Sequence, residues 1–347
     1  CHSNGGVFNL GHRNPRVIAA LQRALERFDI GNHHLVSEPR ARLAAKLAAS
    51  TDGVLSGVVF GVSGGEANDL ALKLARAHTG RPTIVSALGG YHGHTGLSLA
   101  TGDPQFRDPF GPNLPDFVQL PFNDRAALEA AIDDRTAAVI LEPIPATLGM
   151  PLPESGYLAY AHELCRQRGA LLILDEVQTG LGRTGSLWFY QQEGLTPDIL
   201  TTGKGLSGGI YPLTATLMRP EIHRFFEAHP FIHVSTFGGA EVGCAVGEEV
   251  LAIASDPAFL ARVRELAARF AEGFAGAPFE LRQRGLFMGL KFAVPRGGMM
   301  ACKLLYDAGI YTVYAGNDTS VLQFLPALVT DDDEADEIIR RVRKTLG

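Results

Sequence analysis

Lysine is scarce in this chain. Only six of its 31 Lys and Arg residues are lysines, namely Lys46, Lys73, Lys204, Lys291, Lys303 and Lys344. Cysteine is scarcer, with four residues (Cys1, Cys165, Cys244 and Cys302) scattered over 347 positions and no CxxC pair. That spacing excludes a disulfide-stapled secreted domain and reads as reduced thiols in a cytoplasmic protein. Positive charge is in deficit too: the formal net charge is −6, and the one dense charge run, "DDDEADE" near the end, is acidic. A surface for nucleic acid or an anionic membrane is therefore not expected. No apolar run reaches 18 residues and no signal peptide is read, which argues against a membrane span or a secretory leader. Internal repeats and low-complexity tracts are missing as well. The chain opens at Cys1 directly into "NGGVFNLGHRNP", so we expect its natural N-terminus to lie upstream.

What is present is apolar content, at 46%, enough for a large core. Runs rich in Val, Ile and Leu ("TIVSAL", "FVQLPF", "AAVILEPI", "LLILDEV", "DILTTGK", "PLTATLM") alternate with amphipathic stretches. The alternation predicts an α/β domain whose mainly parallel sheet lies between helices. Helices are predicted over Pro15–Phe28, Glu66–His78, Tyr157–Arg168, Glu241–Ala254 and Pro257–Phe274, the first opened by Pro15. From about Phe279 shorter strands ("LRQRGLFMGLKF", "YTVYAG", "VLQFLP") and two helices predict a smaller α+β unit. The organisation expected is an N-terminal segment over 1–35 packing with the small domain, a large domain over 36–270 and a small domain over 271–347.

One of the rare lysines, Lys204, sits between glycines in "ILTTGKGLSGG", directly after an apolar run. Taken alone it reads as an ordinary surface lysine before an amine poised for imine chemistry. "LLILDEVQTGLGRTG" places Asp175 and Glu176 at the end of another apolar strand, and neighbouring strand ends of a parallel sheet line one crevice. A lysine and a carboxylate converging there suit pyridoxal phosphate, the lysine holding the cofactor and the carboxylate keeping its pyridine nitrogen protonated. The plainer reading of Asp175 is a helix N-cap. In "GVSGGEANDLALKLAR" small residues open a strong helix, so Ser63, Gly64 and Gly65 could present amides to a phosphate or form an ordinary loop.

These segments, with "GVFNLGHRNPRV", "YHGHT", "VILEPI", "PDILTTGKGLSGG", "HVSTFGGAEVGCA" and "GLFMGLKF", resemble the class III (omega-type) aminotransferases of the fold type I pyridoxal phosphate enzymes over essentially the whole chain. "GVFNLGHRNP" and "HPFIHVSTFGG" are most similar to putrescine-type diamine aminotransferases. The resemblance implies that Lys204 carries the cofactor and shuttles the proton. It makes Asp175 the partner of the pyridine nitrogen and Gln178 a neighbour of the ring hydroxyl, with Val177 and Tyr91 on the two ring faces. Ser63, Gly64 and Gly65 would bind the phosphate, and Thr236 would reach the phosphate of a second subunit, so a homodimer with shared sites is implied. His92 would lie beside the cofactor; read alone, His92 and His94 are satisfied interior histidines. Glu142 would either pair with a substrate-binding arginine or form an ordinary salt bridge at a strand end.

The departures from the family pattern bear on substrate. Where the family carries an arginine that grips an α-carboxylate, "VLQFLPALVT" has Gln323. The phosphate loop reads "SGG", without a hydroxyl common at its third position, and "STFGGAEVGCA" lacks the usual Asn-Pro. The expected activity is transamination between a primary amine and an aldehyde or ketone, with a substrate lacking an α-carboxylate: a diamine, an ω-amino compound, a fatty aldehyde or a carbonyl tethered to a carrier protein. The alternatives are a lyase, phospholyase or aminomutase of the same fold, and a non-catalytic module. No metal site is expected.

Overall fold

The computed structural model describes residues 1–32 and 34–347. The main sheet is built from β1 (Gly57–Gly61), β2 (Thr83–Ala87), β3 (Phe117–Leu120), β4 (Thr136–Leu141), β5 (Leu171–Asp175), β6 (Ile199–Thr202) and β7 (Thr214–Met218), in the order β1-β7-β6-β5-β4-β2-β3. Strand β7 runs antiparallel to β1 and β6, and the remaining pairs are parallel. All six residues of β4 are buried, as expected of a strand covered by helices on both faces. The apolar runs show no alternation for that reason.

Helices α1 (Pro15–Leu25), α2 (Glu38–Ala49) and α3 (Gly64–Thr79) have legible starts and stops. The Asn14 side chain accepts from Arg16 and Val17 N–H, with Pro15 at the first helical position. Helix α1 ends three residues before the predicted Phe28, since the apolar spacing of "VIAALQRAL" does not continue through "ERFDIG". Helix α3 begins two residues earlier than predicted. Its cap is Ser63, whose hydroxyl accepts from Glu66 N–H, and Gly80 closes it with φ at +69°. Helices Tyr157–Arg168 and Glu241–Ala254 have the predicted limits, and Pro257–Gly273 stops one residue short.

A second, antiparallel sheet contains β8 (Glu280–Arg284), β9 (Phe287–Lys291), β10 (Val313–Tyr314) and β11 (Val321–Phe324) in the order β10-β11-β9-β8. Helices Pro257–Gly273, Gly297–Asp307 and Asp332–Leu346 share a core with it through Phe270, Leu305 and Val342. The first residues of the chain run alongside β11's end: Ser3 N–H donates to Leu325 O, and Leu325 N–H to Cys1 O. The fold thus brings the carboxyl ends of β2, β4, β5 and β6 to one rim, with the N-terminus of α3 and the start of the chain beside them.

Candidate active site

A cavity of about 550 Å³ opens at that rim. Its wall includes Ser63, Gly64, Gly65, Tyr91, His92, Glu142, Asp175, Val177, Gln178 and Lys204. Asp175 is the last residue of β5, and Lys204 follows β6 by two residues. The Lys204 backbone lies in the left-handed region, φ +42°, a sparsely populated conformation for a side-chain-bearing residue that turns it out of the strand line. Its ammonium donates to Gln178 Oε1 at 3.4 Å. Burial lowers its pKa below the usual lysine value, partly offset by the negative charges of Asp175 and Glu142.

Asp175 is buried and hydrogen-bonded through both carboxylate oxygens. Oδ2 accepts from Asn68 Nδ2 at 2.7 Å and contacts His92 Nδ1 at 2.8 Å, while Oδ1 accepts from Val177 N–H at 3.1 Å. Burial alone would raise the carboxyl; the His92 hydrogen bond and charge, the Val177 amide and Lys204 outweigh it and hold the group below its ordinary value. The N-cap reading of Asp175 is corrected, because turns through Thr184 and then bends, rather than a helix, follow it. The glycines of "QTGLGRTG" bend the chain back over the strand end instead.

The histidine readings also change. His92 is 3% exposed, but its Nε2 is buried with no hydrogen-bond partner, so it is not a satisfied interior group. His94 is exposed, edge-on to Tyr91 and tilted against Phe106. Glu142 fulfils neither of its two expectations: its carboxylate accepts from the backbone N–H groups of Tyr91 (2.8 Å) and Ala146 (3.4 Å), and no ion pair to it is formed among the described residues. Burial raises its pKa to about 7, against a lowering by His92.

Tyr91 stands on the open side of the cavity, 40% exposed. Two predicted residues do not line it. Thr236 is exposed on the loop that also exposes Phe231, Ile232, Val234 and Phe237. Gln323 is buried on β11 and is not part of the cavity wall. Neither Arg282 nor Arg284 lines the cavity; Arg282 is bonded to Gly149 O and Glu280.

Other wall residues escaped the sequence reading. Asn68 is the clearest, a polar residue on the buried face of α3 whose burial among Leu and Ala was the available signal. Gly5 presses the N-terminal segment against the lysine: a Cβ there would stand 3.3 Å from Lys204 Cε. Its isolated position in "NGG" gave no such indication.

The arrangement can seat an anion at Ser63–Gly65, where the first N–H groups of α3 have no partner within the helix, with the Asp175 carboxylate and the Lys204 amine on the wall of the same cavity. The family description "aminotransferase class-III" matches residues 2–346. This chain belongs to the class-III aminotransferases. It is 53% identical over 344 residues to an uncharacterized aminotransferase of Archaeoglobus fulgidus, covering 97% of this chain and 81% of the relative. It superposes with TM-score 0.92 and 31% identity on the ornithine aminotransferase of Toxoplasma gondii, crystallised with partial occupancy of pyridoxal phosphate in its active site, over 99% of this aminotransferase and 85% of that chain. The taurine:2-oxoglutarate aminotransferase of Bifidobacterium kashiwanohense, solved with pyridoxal phosphate and glutamate, gives TM-score 0.89 at 25% identity over 99% and 87%.

Class-III aminotransferases use pyridoxal 5'-phosphate, and the site fits it. The test is in the packing: Gly65 has no room for a side chain, its Cβ position lying 2.6 Å from Thr95 Oγ1, while the buried amine of Lys204 has a single long side-chain partner and His92 Nε2 has none. No helix among the described residues is long and apolar enough to cross a membrane.

Proposed function

We propose that this aminotransferase moves the amino group of a primary amine without an α-carboxylate, with a diamine as the preferred class, to an aldehyde or ketone. The observation that carries the reading is that, among the described residues, no arginine lines the cavity. A substrate carboxylate would otherwise be met by a guanidinium through two charge-assisted hydrogen bonds. The fully buried Arg183 is occupied by Asn9 Oδ1, Ser3 Oγ and the carbonyls of Leu286 and Pro326.

In this reading the bound cofactor supplies an electron sink for the carbon that bears the amine. Lys204 Nζ would hold the cofactor and, once free, would take the proton from that carbon and return it as general base and acid. Its lowered pKa favours the neutral amine this requires. Asp175 would keep the ring nitrogen protonated, with Gln178 toward the ring hydroxyl and Val177 and Tyr91 toward the ring faces. Ser63, Gly64 and Gly65 hold the phosphate, with Thr236 of a second copy completing it. Support for that second copy is the exposed apolar side chains near Thr236, Val36 (100% exposed), Phe231 and Phe237. His92 and Glu142 stay as neighbours of the ring edge.

The test is a panel of amines mixed with the yellow holoenzyme, following loss of the cofactor's visible absorbance. Diamines and alkyl amines should react with kcat/KM about ten- to a hundredfold above glutamate or alanine, the range set by about 1.5–3 kcal/mol for the missing ionic contact. Glutamate reacting as efficiently as any simple amine refutes the reading.

A further inference from the structure

We propose that Thr201 and Asn68 are positioning residues for the reaction: Thr201 sets the Asn68 amide, and that amide commits one oxygen of Asp175 to the protein, leaving the other to face the cavity. The proposal rests on the reading that Asp175 meets the cofactor's ring nitrogen.

Strands β5 and β6 fix the first contact. Asp175 and Thr201 are register partners in that parallel pair, and Glu176 N–H donates to Thr201 O at 2.9 Å. Partnered residues of neighbouring strands direct their side chains to the same face. Helix α3 crosses that face and brings Asn68 in from its first turns. Both residues are shut off from solvent, Asn68 at 1% and Thr201 at 0% exposure.

The Asn68 amide is saturated. Nδ2 donates to Asp175 Oδ2 at 2.7 Å and to His92 O at 2.8 Å, and Oδ1 accepts from Thr201 Oγ1 at 2.8 Å. A flipped amide would set its oxygen against two acceptors, the carboxylate and the His92 carbonyl, so the partners decide the orientation. Asp175 Oδ2 consequently receives Asn68 and His92, filling its lone pairs. Oδ1 receives only Val177 N–H and keeps one direction open. Without the Thr201 hydroxyl, Asn68 Oδ1 is a buried acceptor with no donor; the amide is then free to tilt, and the hold on Oδ2 loosens.

The experiment compares wild-type holoenzyme with Thr201→Val, which keeps the shape and drops the hydroxyl, Thr201→Ser, which restores it, and Asp175→Asn. Two quantities are read: kcat and KM for the amine that the wild type uses fastest, and the pH midpoint of the bound cofactor's visible absorbance, which reports the ring's electrostatic partner. Thr201→Val should lower kcat about tenfold with KM within about twofold, and should move the midpoint, while Thr201→Ser returns both to near wild type. A merely structural role lowers the melting temperature of Thr201→Val and leaves kcat and midpoint in place, which overturns the proposal. If Thr201→Val does not fold, Thr201→Cys replaces it; its weak donor should give an intermediate loss, and an unmoved midpoint again overturns the idea. Asp175→Asn separates the two layers. If it is crippled while Thr201→Val is not, this proposal alone falls; if Asp175→Asn itself changes neither quantity, the reading of Asp175 falls with it.

Discussion

Asp175→Asn is the substitution whose consequence the geometry sets out most fully. The carboxylate accepts three hydrogen bonds, from Asn68, His92 and the Val177 amide. An asparagine oxygen placed at Oδ2 keeps the first two, but its NH2 then faces Val177 N–H, donor against donor. The same NH2 would face the ring nitrogen, which favours an unprotonated ring and weakens the electron sink. One charge-assisted bond to the ring contributes about 1.5–3 kcal/mol, so roughly 3 kcal/mol of transition-state stabilisation is at stake. That corresponds to a slowing on the order of a hundredfold. The assay is a stopped-flow single turnover at saturating amine, after cofactor content has been measured. A variant that binds cofactor fully and reacts within about threefold of wild type would refute the reasoning.

Three further outcomes follow from the structure. Glu176 is buried and raised to about 7 by that burial, despite accepting from the amides of Phe189 and Tyr190. The folded state therefore binds this proton more tightly than the unfolded chain, and the stability it contributes is complete below about pH 4.5 and lost as pH rises through about 7, about 3 kcal/mol in all. Melts of the apoprotein from about pH 5 to about pH 8 should show Glu176→Gln losing less stability than wild type across that window; parallel losses contradict the assignment. Gly65→Ala, whose methyl would meet Thr95 Oγ1 at 2.6 Å, should weaken cofactor binding about tenfold in a spectroscopic titration of the apoenzyme, and an unchanged affinity means that Thr95 yields freely. Mixing inactive Lys204→Ala with weak-binding Thr236→Ala subunits should restore activity, because one site of the mixed dimer gathers both defects and the other neither. Proven subunit exchange without recovery argues against sharing across an interface.

The sheet was legible because its strands carry apolar runs, buried along the whole of β4, and helix Tyr157–Arg168 because Gly156 and Gly169 bracket it. Asp175 and Lys204 were legible as strand-end residues, since a parallel sheet delivers such ends to one rim. The contacts behind them were not. Asn68 reaches Asp175 across 107 positions, and nothing in the helix period says which strand end a buried asparagine will meet. Gln323 was read from its motif as a substrate residue, but its placement follows from β11 pairing with β9 and from the Cys1–Ser3 segment running beside Leu325, a long-range packing that local pattern does not encode. Thr236 has its proposed partner in a second copy, beyond what a single chain's contacts can display. His94 was misjudged because "YHGHT" gives two histidines in one turn with no apolar period to say which faces inward.

The central claim, that Lys204 is the residue bearing the cofactor, is tested most directly by reducing the holoenzyme with borohydride and mapping the modified lysine by mass spectrometry. With six lysines in the chain the assignment is unambiguous. The account predicts the cofactor-derived mass on the peptide containing Lys204 and on no other lysine peptide, with loss of the adduct in Lys204→Ala. Modification of another lysine, or an unmodified Lys204 in an active and fully loaded preparation, would contradict it.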